Sequence, residues 1–217
     1  RFHYLGAGNS DGATESMTFD GLVADARAEA SAVREDTGLP TVDFVGTRLG
    51  ALVAAAAAAD FPGGSLVLWE PPTDLGRYYN EVFRARMIGL LKRGERSAGG
   101  KDLMETFARD GVIDVVGNPL PHSLYETTIG LDIGDLLIAA GPRRVLAIQM
   151  SVKPEIRPGL TALIERCAGA GVHVEAKSVH YDEAWWFGAS GYTFVEVESG
   201  ALDAIPATID ALGTVAP

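Results

Sequence analysis

The residues of this sequence that could take part in chemistry lie where apolar, strand-like runs end. Arg48 stands at the centre of the motif GTRLG, residues 46–50, beside Thr47. Glu70 ends a second apolar run, and His180 follows a third. Glycine lacks a Cβ and tolerates close approach of the backbone, so the GTRLG motif permits a sharp turn from a strand into a helix. We therefore expect Arg48 to be presented at such a turn.

An arginine at this place excludes nucleophilic attack and leaves two roles, a structural ion pair or the binding of an anionic ligand. Its guanidinium stays protonated and offers a planar fork of donors, which suits a carboxylate or a phosphate. If the strands before Arg48 and Glu70 are neighbours, their side chains can meet, and a charge in a partly buried cleft requires such a partner. The ion pair could lock the turn, or Glu70 could orient Arg48 toward an anionic ligand. Both interpretations stay open.

Hydrolysis by a serine enzyme requires a hydroxyl nucleophile, a histidine base and an acid that orients the base. Arg48 cannot be the nucleophile, alternation of side chains directs Thr47 away from the turn, and Ser10 lies in a glycine-rich turn where we expect a structural role. His180 is the one candidate catalytic residue, and without a nucleophile we favour an ordinary loop histidine. The histidines lie at unrelated spacings, which predicts no metal site.

Apolar runs alternate with helical patterns along most of the chain. We predict strands at residues 1–5, 41–45, 65–69, 144–149 and 172–176, and helices at 18–37, 51–59, 158–170 and 202–212. Strands that alternate with helices form a mostly parallel, doubly wound sheet covered on both faces. The predicted fold class is therefore α/β, with a ligand cleft at the carboxyl edge of the sheet.

One long stretch interrupts this alternation and predicts a helical cap. We interpret residues 73–142 as an insertion between the core segments 1–72 and 143–217. Within it, helical patterns lie at 75–91 and 103–110, and an extended piece lies at 112–116. Aromatic residues in this part of the fold, including Tyr78 and Trp185, either pack the cap on the core or line an apolar pocket beneath it.

The GTRLG motif, between an apolar strand and a helix of small residues, resembles the nucleophile elbow G-x-S-x-G of α/β-hydrolases, with Arg48 in the place of the serine. The GAGNS motif at residues 6–10 resembles the G-x-G-x-S turn of the same superfamily. The strings GTRLGALVAAAAAADFP and LVLWEPPTDLGRYYNEVFRAR are similar to the exosortase-associated hydrolase-like branch, in which arginine also occupies the elbow.

This resemblance implies an α/β-hydrolase fold without a serine nucleophile. It implies a non-hydrolytic protein that binds a small anionic or apolar molecule, or that assists polymer export or protein sorting. The alternative is a hydrolase or acyltransferase-like enzyme that uses other residues in the same cleft. Within this cleft, the expected ligand-binding residues are Arg48, Thr47, Glu70, Tyr78 and Trp185.

The resemblance begins late in the strand order of the superfamily. In α/β-hydrolases another strand, earlier in sequence, lies between the strand that leads to the G-x-G-x-S turn and the elbow strand. The sequence has no such strand ahead of residues 1–5, and an unfilled place would leave two rows of backbone groups unpaired. We therefore expect that N-terminal strands are missing from this chain, which begins with Arg1 rather than Met.

Composition excludes several classes of partner. The chain has 18 Lys and Arg against 29 Asp and Glu, a formal net charge of -11, which argues against nucleic acid and against an anionic membrane. The apolar segment 51–59 is too short to cross a bilayer. The single cysteine, Cys167, excludes an intrachain disulfide and is expected as a small buried side chain. We expect a cytoplasmic protein without cofactor that could form homo-oligomers.

Overall fold

A computed structural model describes residues 3–94, 100–180 and 205–210 of the chain. These residues form two compact units, one from Arg1–Asp25 and Asp74–Leu131 and the other from Ala26–Thr73 and Asp132–Pro217. In chain order the strands are β1 Phe44–Thr47, β2 Ser65–Trp69, β3 Val112–Val115, β4 Asn118–Pro121, β5 Arg144–Ser151 and β6 Val174–His180. The helices are α1 Phe19–Thr37, α2 Leu49–Ala58, α3 Leu75–Lys92, α4 Gly100–Asp110, α5 His122–Thr128, α6 Ile133–Ala140 and α7 Pro158–Gly169, with a 3-10 turn at Thr14–Ser16.

The second unit contains a parallel sheet in the order β1-β2-β5-β6. Its central strands are buried on both faces, as expected when helices cover a parallel sheet. One core cluster consists of Val67, Leu146, Ile148, Met150, Val179 and Ala207. The predicted α/β fold class, with a mostly parallel sheet, is confirmed.

Six of the ten residues of helix α2 are alanine, and the helix is buried along most of its length. It contacts β1, β2 and α6. Alanine side chains add little bulk, so a helix of this composition can lie close to a sheet and to a second helix at once. Cys167 of α7 is also fully buried, as predicted, and burial raises the pKa of its thiol. None of the helices in the described residues is long and apolar enough to cross a bilayer.

The first unit contains the antiparallel hairpin β3–β4 with helices α3, α4 and α5. Its interior is a cluster of rings in stacked, edge-to-face and tilted contact: Tyr79, Phe83, Phe107, His122 and Tyr125. The Tyr79 hydroxyl lies 2.5 Å from the Thr128 hydroxyl inside this unit, which satisfies a buried polar group. The helical patterns predicted at 75–91 and 103–110 are both helices.

The first predicted strand is wrong over its described part. His3–Leu5 form no strand. Their backbone is instead tied into turns, because Leu5 N donates to Asp25 Oδ2 at 2.8 Å and Ala7 N donates to Tyr4 O at 2.9 Å. Among the described strands β1 has one neighbour, β2.

Several boundaries also differ from prediction. The strand predicted at 41–45 lies at Phe44–Thr47, so it runs into the GTRLG motif. The strand β4 and the helices α5 and α6 were not predicted. Of the helix predicted at 202–212, residues 205–210 are helical and the others lie outside the described residues.

Candidate functional site

The carboxyl ends of the parallel strands bring several polar side chains to one edge of the sheet. Arg48 follows β1 and Glu70 follows β2, while Ser151 and His180 are the last residues of β5 and β6. The first two ends are linked directly, since Arg48 N donates to Trp69 O at 2.8 Å. This edge is where doubly wound sheets hold their ligands.

The turn from β1 into α2 is strained at Arg48. This residue has φ 53° and ψ -121°, a conformation that side-chain-bearing residues rarely adopt. The turn is also tight, because a Cβ placed on Gly46 would lie 2.4 Å from Gly50 O and 2.7 Å from Ala51 Cα. The first glycine of GTRLG is therefore required by the approach of the helix to the strand, and Arg48 is partly buried at the apex.

Glu70 also has a positive φ, 49°, and its carboxylate is held on two sides. Arg157 Nη2 donates to Glu70 Oε1 at 2.5 Å, and Met150 N donates to the same oxygen. Arg157 Nη2 also donates to Met150 O at 2.7 Å. The Glu70 side chain is 8% exposed and that of Arg157 36%. These contacts join the end of β2 to the end of β5 and to the start of α7.

Burial dominates the electrostatics of this carboxyl group. It raises the pKa of Glu70 above its usual value, and the charge and hydrogen bond of Arg157, the amide of Met150 and the charge of Arg48 oppose that rise only in part. Arg157, which the sequence analysis did not predict, is a hydrogen-bonding partner of this carboxylate. Arg48 lies near enough to act on Glu70 through its charge.

Arg157 is the site residue that sequence reasoning missed. It immediately precedes Pro158 at the start of α7, and its backbone N donates to Gln149 Oε1 at 2.8 Å. Gln149 Nε2 in turn donates to Glu155 O at 2.9 Å, which shapes the loop after β5. The sequence signal for Arg157 was its place directly before Pro158, which starts the helix α7. That helix follows β5, the strand next to β2.

Of the other predicted site residues, Thr47 and His180 lie at the carboxyl edge of the same sheet, and Tyr78 belongs to the other unit. Thr47 is exposed at the end of β1, in register with Trp69. Tyr78 belongs to the first unit, where its ring centroid lies 5.1 Å from that of Tyr79. His180 is exposed and pairs in register with Ser151. Trp185 lies outside the described residues.

The glycine-rich turn near the start of the chain is structural, as predicted. Ser10 Oγ lies 2.5 Å from Tyr4 O and 2.8 Å from Ala7 O, so the hydroxyl closes its own turn. Gly6 and Gly8 both have positive φ values there, 82° and 61°. In the part of the chain that the structure describes, no group of three or more His, Cys, Asp or Glu side chains could hold a metal ion.

No family model and no curated protein matches this sequence. Solved structures do match it. A carboxylesterase study of the thaumarchaeon Nitrososphaera gargenis gives a structure similar over 94% of this chain and 76% of its own, with 15% identity and a TM-score of 0.56. The alpha/beta hydrolase GrgF from Penicillium sp. sh18 is similar over 96% of this chain and 78% of its own, with 15% identity and a TM-score of 0.51.

Est1E from Butyrivibrio proteoclasticus, solved with ferulic acid bound, is similar over 83% of this chain, with 18% identity and a TM-score of 0.51. The chain spans 65% of the length of Est1E. At these identities the likeness is one of fold, and it agrees with the parallel sheet and the strained strand-to-helix turn described above. The chain therefore has the α/β-hydrolase fold.

Proposed function

We propose that this chain is a non-hydrolytic protein that binds a small molecule through an anionic group at the Arg48 turn. The observation that carries the proposal is the conformation of Arg48, φ 53° and ψ -121°, at the apex between β1 and α2. In the fold, a turn of this kind presents the nucleophile at the sheet edge. Here the presented side chain is a guanidinium, which has no lone pair to attack an acyl carbon.

The charges at this edge support an anionic ligand. Two guanidinium groups, those of Arg48 and Arg157, act on the carboxylate of Glu70, whose side chain is 8% exposed. Since Arg157 already hydrogen-bonds to Glu70, we assign the anionic group of the ligand to the guanidinium of Arg48. The planar guanidinium of Arg48, together with the fixed cation of Arg157, suits a ligand carboxylate or phosphate.

The resemblance of GTRLG and of the LWEP strand end to the exosortase-associated branch also supports a non-hydrolytic binding function. Arginine occupies the elbow of that branch, so a protein that binds rather than hydrolyses fits the pattern. An accessory role in polymer export or protein sorting is the cellular setting that this resemblance favours.

A second candidate is an enzyme that keeps the cleft but uses other residues. The observation in its favour is His180, which ends β6 at the same sheet edge and is exposed to solvent. An exposed imidazole there could act as a general base on a bound substrate.

The two candidates differ in reactivity toward a fluorophosphonate probe. We expect no serine of the chain to be labelled, because the serine elbow is replaced by Arg48. Labelling that His180→Ala abolishes would overturn the binding proposal in favour of the enzyme.

Anion binding is tested by calorimetric titration with succinate, benzoate and inorganic phosphate. At least one should bind the wild type, and Arg48→Gln should weaken that binding by about tenfold or more, the loss expected for one charge-assisted contact. Arg77→Gln is the matched control, since Arg77 is an exposed arginine of α3 and should leave the affinity unchanged. Equal affinity of wild type and Arg48→Gln for every anion would contradict the proposal.

A further inference from the structure

A buried carboxyl group lies beside the arginine that we assign to the anion of the ligand. Glu70 directly follows β2, and its side chain is 8% exposed. Arg48 directly follows β1, and its backbone N donates to Trp69 O at 2.8 Å. The two residues are thus held together across the ends of neighbouring strands, and the charge of Arg48 acts on Glu70.

The hydrogen bonds of Glu70 leave one carboxyl oxygen for a proton. Arg157 Nη2 and Met150 N both donate to Oε1. A protonated carboxyl group keeps acceptor capacity, so a proton on Oε2 leaves both of these contacts in place. Arg157 is also held independently, since the same nitrogen donates to Met150 O at 2.7 Å. Protonation of Glu70 therefore changes the charge at this edge of the sheet without a rearrangement of the structure.

The groups that surround Glu70 come from each element packed against it. The start of α7 provides Arg157 and the turn after β1 provides Arg48, and both cations favour the ionised carboxylate. Strand β5 provides an uncharged donor, the amide of Met150. His180 ends β6 at the same edge and is exposed. Of these four side chains that carry or can carry a charge, Glu70 is the one whose charge opposes an incoming anion.

The net charge of the site depends on whether Glu70 carries a proton. An ionised Glu70 offsets one of the two guanidinium groups, whereas a protonated Glu70 leaves both positive charges to attract the ligand. Two anionic groups in one site repel each other, and this repulsion favours protonation of a carboxylate, most strongly where burial keeps water away. Burial already raises the pKa of Glu70 above its usual value, so a bound anion adds to a rise that is present without it.

We propose that anion binding at Arg48 is coupled to the uptake of a proton by Glu70, so that the site binds its ligand more tightly at lower pH. This inference rests on the anion site proposed above and adds its dependence on pH. On binding, a proton from solvent adds to Oε2 of Glu70, the carboxylate becomes a carboxylic acid, and no covalent bond of the ligand changes. Because the coupling is reciprocal, the ligand strengthens proton binding by the factor by which the proton strengthens ligand binding.

His180 gives the competing explanation, because histidine commonly changes charge between about pH 5 and 8 and its protonated form also attracts anions. The strand order separates the two groups. Glu70 ends the strand next to β1, whereas His180 ends β6, which lies two strands beyond β2 in the order β1-β2-β5-β6. We therefore assign the coupled proton to Glu70.

The test is calorimetric titration of the full chain with benzoate and with sulfate between about pH 5 and 8, above the usual pKa of a carboxyl group. The affinity of the wild type should fall by about fivefold or more across this range, the lower end of the usual coupling between two sites. Glu70→Gln is uncharged at every pH, so it should bind with an affinity that does not change. Glu81→Gln is the matched control, since Glu81 is a carboxylate of α3 paired with Arg77, and should keep the wild-type pH dependence.

Repeating the titration in buffers that differ in their enthalpy of ionisation measures proton uptake directly. The wild type should take up protons as the anion binds, and Glu70→Gln should take up none. Equal affinity of the wild type at every pH would overturn the coupling and leave the anion site standing. The same holds if Glu70→Gln keeps the pH dependence, or if His180→Gln is the variant that loses it. If neither benzoate nor sulfate binds at any pH, the anion site fails and the coupling fails with it.

Discussion

Glu70 and Arg157 form the ion pair that ties β2 to the start of α7, with Arg157 Nη2 2.5 Å from Glu70 Oε1. The same nitrogen donates to Met150 O, so one guanidinium group holds a side chain and a backbone carbonyl together. Breaking such a pair from the carboxylate side leaves a cation and an amide without their acceptor.

Two replacements of Glu70 should distinguish the contribution of its charge to stability from that of its hydrogen-bond acceptor. Glu70→Ala should lower the free energy of unfolding by roughly 2–4 kcal/mol, because Arg157 and Met150 N lose their shared acceptor. Glu70→Gln keeps an acceptor oxygen and removes a buried charge, so its loss should be less than half as large. Urea unfolding measures both. Glu81→Ala removes the exposed pair with Arg77 and should change stability by about 0.5 kcal/mol or less.

The raised pKa of Glu70 should make stability depend on pH in a definite direction. Since burial raises the pKa in the folded state above the usual 4.5, the folded protein keeps a proton that the unfolded chain has lost. The stability of the wild type relative to Glu70→Gln should therefore fall as the pH rises from the usual pKa of Glu70 to its raised pKa in the folded protein. Above the raised pKa, the difference should level off. Urea midpoints of both proteins across about pH 4 to 7 test this. A relative stability that rises with pH would show that Arg157 outweighs burial.

Gly46 and Gly50 should respond in opposite ways to alanine. Gly46→Ala places a methyl group 2.4 Å from Gly50 O, so strand and helix must separate, and we expect a loss of roughly 2–4 kcal/mol or failure to fold. A Cβ on Gly50 meets nothing within 4 Å, and alanine favours the helix by about 0.5–1 kcal/mol. Thermal and urea unfolding of the two variants provide the measurement. Equal losses at both positions would contradict the close approach at Gly46.

Backbone strain at Arg48 can be isolated by comparing two variants that both lack the guanidinium. Arg48→Gly relieves the conformation at φ 53°, whereas Arg48→Ala retains the Cβ. The glycine variant should be more stable than the alanine variant by roughly 1–3 kcal/mol. If the alanine variant is as stable as the glycine variant, the turn carries no strain.

The elements that could be predicted are those whose own residues specify the structure without contacts to distant segments. The run SLVLW at Ser65–Trp69 is a central strand buried on both faces, so continuous apolarity alone specified it. Pro158 specified the start of α7, because proline suits the first turn of a helix. The spacing of the two glycines specified the strained turn at Arg48.

Contacts between distant segments could not be predicted in the same way. The apolar residues at 3–5 have a strand-like composition, but pairing requires a neighbour that composition cannot supply, and local turns took up the backbone groups instead. The contact of Arg157 with Glu70 depends on the loop after β5, which Gln149 shapes through two hydrogen bonds. Helix α6 had a readable signal, the capping carboxylate of Asp132, which accepts from Asp135 N.

The pairing of β2 with β5 has a kinetic consequence. Residues 70–143 separate the two strands, so the chain must close a long loop before their first ladder hydrogen bond forms. Until then, the apolar side chains of β2 are available to other incompletely folded molecules. Refolding at high protein concentration should therefore lose protein to aggregation. During synthesis in the cell, β2 cannot pair with β5 until the ribosome has synthesised β5.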